Sequence, residues 1–184
     1  MWMRIINFVG YQALWFALVI GASRGATTVP VIIACAFVAA QLPFGSDPMA
    51  DLRRLIVAVA FGTFVDGVPS LLGWWHYATP SPAFPAGGAP LWILALWASF
   101  ATTIDRSLRV VRAHPWLGII LGAVGGPAAY EAAARGWQAV VFSCPPALYL
   151  SWLGVNWAIA MASLVRGVSG PQAKSRPSPG PSGS

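Results

Sequence analysis

With 184 residues, 57% of them hydrophobic and only 9% charged, the chain cannot dress a water-facing surface, for which roughly 25% charged residues is usual. Hydrocarbon must therefore be the solvent for most of it. The net charge of +6 would point to nucleic acid in a soluble chain. Here the basic residues stand beside apolar segments, where they set topology and meet anionic headgroups. Membrane lipids and other proteins of the same membrane are the expected partners, and nucleic acid is not.

Six apolar segments can each cross a bilayer, which takes about 20 residues. The first runs from about Ile5 to Ala22 and the second from about Ala26 to Phe44, joined by a short Ser-Arg-Gly turn. Asn7, Gln12 and Trp15 in the first fit a retained helix better than a cleaved leader. A polar stretch, Gly45 to Arg54, leads to a third segment from Leu55 to Trp75, and a Pro/Gly-rich loop follows from His76 to Ala89. The fourth begins near Pro90 and leaves the lipid around Asp105, its helix continuing toward Arg112. The fifth covers Pro115 to Ala134. Trp137 to Ser143 reads as an irregular approach, because Cys144-Pro145-Pro146 interrupts a helix, and the sixth runs from Pro146 to Val165. Residues 1–166 thus form one all-α, polytopic transmembrane bundle. The tail, residues 167–184, is rich in Pro, Ser and Gly and is expected to be a disordered cytoplasmic extension.

Charge tests this segmentation. Six crossings put Arg4, Arg53, Arg54, Arg106, Arg109, Arg112, Arg166, Lys174 and Arg176 on one side, leaving only Arg24 and Arg135 on the other. Nine of the 11 basic residues on one side make that side cytoplasmic, with both termini in. Trp74, Trp75, Tyr77, Trp92 and Trp137 then map to the outer interface, and Trp2 and Trp116 to the inner one.

Asp66 is the residue most suggestive of function. Near the middle of the third segment a charge costs at least about 2.5 kcal/mol, and a role is the default hypothesis. Its stripe of Gly62, Ser70 and Gly73 is small and polar, so it should face the bundle interior. With no Lys or Arg at its depth it favours the protonated form; Gln12 and Asn156 fall near the same level. The three make either a proton-coupled or substrate-binding cluster, or a neutral network that locks three helices together.

The fifth segment carries Gly118, Gly122 and Gly125 or Gly126 at three- and four-residue steps, a pattern for close helix packing, and Pro127 is a place for a bend. Tyr130 and Glu131 read as interfacial, the latter paired with Arg135. Thr102, Thr103, Asp105, Arg106 and Ser107 form a polar cluster, with Asp105 and Arg109 at pairing distance along a helix. With it, Arg53, Arg54, Arg106, Arg109 and Arg112 are candidates for headgroup contacts, though topology alone explains them nearly as well. Cys35 and Cys144 show no CxxC spacing and read as structural thiols. His76 and His114 fall on opposite sides, so no metal site, haem or other cofactor is expected. Neither a P-loop nor a GxSxG elbow is present.

Asn7, Gln12 and Trp15, Gly62 with Asp66, the run PLWILALWASFATT, Ser107 and the run LGAVGGPAAY are together similar to one family. Over roughly residues 5 to 165 the chain resembles the uncharacterised bacterial inner-membrane family classed as domain of unknown function 2878. The resemblance implies a small multispan inner-membrane protein of Gram-negative bacteria, encoded in many cases near genes for fatty-acid modification and flavin oxidoreductases. It carries over no catalytic residues. The expected function is an accessory or scaffold protein for membrane-lipid modification. A small proton-coupled transporter using Asp66 is the alternative, and a lipid-modifying membrane enzyme the second; a non-enzymatic role is the expectation.

Overall fold

The computed structural model describes residues 2–42, 47–108 and 110–166; the tail beyond and Arg109 lie outside the described residues. Within them, seven helices and four short strands follow in the order α1 (Trp2–Ser23), α2 (Thr28–Gln41), α3 (Pro48–Leu71), β1 (Trp75–Tyr77), β2 (Ala83–Phe84), β3 (Ala89–Pro90), α4 (Leu91–Ala101), α5 (Val110–Ala113), α6 (Pro115–Trp137), β4 (Val140–Phe142) and α7 (Pro146–Arg166). The chain is an all-α bundle with small strands at one end. α1, α3, α6 and α7 are each long and apolar enough to cross a membrane, whereas α2 and α4 are shorter apolar helices.

The surface is apolar, as hydrocarbon solvation requires. Val29 and Val124 are each 65% exposed and Ile32 62%, and Ile6, Phe8, Ile56, Phe64, Ile120 and Ile159 also face outward. Water would not tolerate so continuous an apolar coat. Small residues are enclosed instead: Ala22, Ala34, Ala58, Gly62, Gly122, Gly126 and Ala160 are buried, letting helices approach.

α4 is the hub. Its 11 residues are about 17 Å long, too short for the roughly 30 Å hydrocarbon core. It lies against α1, α2 and α3, with Trp92, Ile93, Leu94, Leu96, Trp97, Ser99 and Ala101 buried. A helix of this length is a core helix rather than a lipid-facing span. It does not continue to Arg112. After Ala101 the chain runs in tight turns to Leu108, with Thr102, Thr103 and Ile104 enclosed by protein. The Thr102, Thr103 and Ile104 amides are satisfied within these enclosed turns, donating to the Ser99, Phe100 and Ala101 carbonyls.

Two stretches expected to be irregular are structured. α3 begins at Pro48, seven residues before the expected start, because Asp47 caps it by accepting from the Met49 and Ala50 amides at 3.0 and 3.1 Å and Pro48 occupies its first turn. The His76–Ala89 loop and the approach to α7 are joined by a two-stranded antiparallel sheet, β1 on β4, pairing Trp75 with Phe142 and Tyr77 with Val140. Thr79 donates to the Ala22 carbonyl at 2.7 Å and the Trp92 indole to the Thr79 carbonyl at 3.0 Å, fastening this cap to the α1–α2 turn. In that turn Gly25 takes φ +70°, a conformation that side chains resist.

At the opposite end an ion-pair network crosses from α3 to the turns after α4. Arg54, 5% exposed, bonds Asp51 at 2.5 Å and pairs with Asp105, which also meets Arg112 at 2.9 Å. Arg106 donates to the Thr102 and Gln41 carbonyls. Arg54 is therefore no headgroup ligand, because the turns after Ala101 bring Asp105 against it; Arg53 and Arg112 are exposed.

Candidate functional site: a buried carboxyl beside an aromatic chamber

Asp66 is wholly buried, on the face of α3 turned toward the bundle. It lies five residues before the end of α3, roughly 7–8 Å along the axis, so it is near the strand end and not at mid-span. Three side chains from three elements donate to it. The Tyr77 hydroxyl from β1 reaches Oδ1 at 2.6 Å, the Tyr130 hydroxyl from α6 bonds the same oxygen, and the Trp97 indole from α4 reaches Oδ2 at 2.8 Å. Three donors converging on both oxygens is the arrangement of a carboxylate rather than of the protonated group expected from depth alone, and bonds of this kind are among the stronger polar contacts available to a buried group.

The local sequence explains the arrangement. Gly62 lies one turn before Asp66, and a Cβ there would stand 2.5 Å from the Trp97 ring. Only glycine lets that indole lie against α3 and aim its N–H at the carboxyl. Tyr77 is held by the β1–β4 pairing. Tyr130 is set by α6, whose Gly122 and Gly126 press against α7: a Cβ at Gly122 would strike the Trp157 carbonyl, and one at Gly126 the Trp157 ring. Gly118 is in ordinary contact with Met161 and Val165, whereas Gly125 meets nothing within 4 Å. α6 runs on through Pro127 to Trp137.

Neither Gln12 nor Asn156 joins Asp66. Gln12 is exposed on α1, and Asn156 donates to the Trp152 carbonyl of its own helix at 2.8 Å. Aromatic donors take the places expected for the amides. Trp75, Tyr77 and Trp92, expected at the outer interface, are buried, as is Tyr130, because the β1–β4 cap folds over the helix ends. Glu131 does meet Arg135, at 2.5 Å, and also accepts from Tyr149 at 2.5 Å. Two of the donors missed by position, Trp97 and Tyr130, lie in the runs on which the family resemblance rests. Asn7 and Ser107, single residues that also carry that resemblance, are bonded to each other at 2.8 Å.

Beside the carboxyl lies a chamber of about 60 Å³, well above the roughly 10–15 Å³ that one water needs. Seven of its 12 lining residues are Trp or Tyr: Tyr11 and Trp15 of α1, Tyr77, Trp92, Trp97, Tyr130 and Trp157. Among the described residues its wall contains no Lys, Arg or His. Trp97 and Trp157 stack with centroids 4.2 Å apart, and the Trp157 Nε1 is buried without a hydrogen-bond partner. A groove of about 200 Å³ along Gly122, Gly125 and Gly126 shares Tyr11, Ala129 and Trp157 with the chamber.

A helical membrane bundle with a hydrogen-bonded carboxyl enclosed near one end is the class these features define. The family model described as protein of unknown function (DUF2878) matches residues 4–163, and the chain belongs to that family. No curated protein and no solved structure matches it.

Proposed function

We propose that the chain is a multi-pass protein of the bacterial inner membrane, crossing six times with both ends cytoplasmic, the short α2 and α4 crossing inside the bundle with the non-helical residues beside them, and that it serves as an accessory protein in membrane-lipid modification by holding part of a lipid in the chamber beside Asp66. The observation that carries this is the shared wall. Tyr11, Ala129 and Trp157 belong both to the aromatic chamber and to the groove along α6, whose neighbours Leu121, Val124 and Gly125 are exposed. Ligand sites of this kind are concave and mostly apolar, with a few polar groups that fix orientation.

Ala129→Trp fills the junction of groove and chamber without touching Asp66. Wild-type protein exchanged into maltoside detergent should retain bilayer lipid detectable by mass spectrometry, and the variant several-fold less. In a deletion strain, the profile of modified acyl chains should shift and be restored by the wild type but not by Ala129→Trp. A lipid profile identical to the parent under oxidative and envelope stress would count against the lipid role.

A further inference from the structure

Resting on the reading of the chamber as a binding site, we infer that its occupant is a quaternary ammonium group, carried either by a free cation or by the headgroup of a choline lipid. Trp15, Trp92 and Trp157 supply aromatic walls from α1, α4 and α7, and aromatic enclosures attract such cations through the negative faces of their rings. Behind the wall formed by Tyr77, Trp97 and Tyr130 stands the carboxyl of Asp66, with no Lys or Arg among the lining residues to oppose a cation.

The pattern of donors selects among cations. Both Asp66 oxygens already accept, Oδ1 from two phenols and Oδ2 from an indole that can only donate. A primary ammonium would have to compete with these donors for the same oxygens. A quaternary ammonium has no N–H to offer, so it gains from the field of the carboxylate without disturbing them. The Trp157 Nε1, buried without a partner in the same wall, leaves one donor for an oxygen on the ligand; an orphaned buried donor is costly in a dry core and ordinary at a site. Depth agrees, since Asp66 is five residues from the end of α3, within reach of headgroups.

The test is isothermal titration of the full chain in maltoside with choline and with its uncharged isostere 3,3-dimethyl-1-butanol. Saturable binding of the cation, at least about tenfold tighter than the isostere, is expected. Trp15→Leu, a half-buried wall position whose loss leaves the Asp66 bonds in place, should weaken the cation by about tenfold. Asp66→Asn should do so while sparing the isostere. Competition by phosphatidylcholine but not phosphatidylethanolamine in nanodiscs assigns the group to a lipid; competition by neither assigns it to a free cation. Equal binding of cation and isostere overturns the inference but leaves the chamber a binding site. No binding of either, with lipid still retained by wild type and lost in Ala129→Trp, overturns the inference alone. If wild type also retains no lipid, the binding-site reading falls with it.

Discussion

Asp66→Leu is expected to lower the thermal unfolding midpoint of the detergent-purified protein by about 5–15 °C. The substitution leaves the Tyr77 hydroxyl, the Tyr130 hydroxyl and the Trp97 indole buried without their acceptor. Each orphaned donor costs about 1–3 kcal/mol, moderated by the smaller average of about 0.6 kcal/mol for polar contacts between helices in membranes. A total of roughly 2–5 kcal/mol follows, and each kcal/mol shifts the midpoint of a chain this size by about 2–4 °C. Tyr130→Phe removes one donor and keeps the other two, so its loss should be about a third as large. A fall below about 2 °C for Asp66→Leu would show that the cluster does not tie α3, β1, α4 and α6 together.

The second large effect is at the α6–α7 seam. Gly122→Leu must push its side chain into the Trp157 carbonyl and Met161, and the backbone carbonyl cannot rotate aside as a side chain would. Overpacking of this kind costs about 1–3 kcal/mol, occasionally more, and here it also pries α7 from α6. Gly125→Leu is its control: among the described residues nothing stands within 4 Å of a Cβ there, so stability should hold to within about 0.5 kcal/mol, as for other surface changes. Equal losses at the two glycines would mean that α6 packs with a different face from the one described.

The contrast between these two glycines shows what a one-dimensional pattern carries. The steps of three and four among Gly118, Gly122, Gly125 and Gly126 mark α6 for close packing but leave undecided whether Gly125 or Gly126 completes the stripe; the answer depends on the rotation of α6 against Trp157. Apolar runs likewise locate α1, α6 and α7 to within a few residues, since length and hydrocarbon solvation fix them. They do not distinguish α4 from its neighbours, because a core helix wrapped by other helices is as apolar as a lipid-facing one. For Asp66, burial and an inward-facing stripe follow from the expense of a carboxyl in hydrocarbon and from Gly62 one turn away. Its partners do not. Counting depth from span ends selects Gln12 and Asn156, but that count assumes helices of equal length and a loop outside the membrane. α3 begins seven residues earlier than its apolar run, which carries Asp66 toward the strand end, and β1 folds back so that Tyr77, read as interfacial, becomes a buried donor. Signals were nonetheless present: Asp47-Pro48 is a helix-start pattern, and phenol and indole donors are the natural company of a carboxyl in an aromatic-rich chain.

The most direct test of how the chain sits in its membrane is a pair of topology reporters, one fused after Ser184 and one after Gly87, between β2 and β3. The crossings proposed here put the first in the cytoplasm and the second in the periplasm, which places the Asp66 chamber in the outer half of the bilayer. Reporters that read on the same side, or a periplasmic signal after Ser184, would contradict that threading and the lipid-facing chamber built on it.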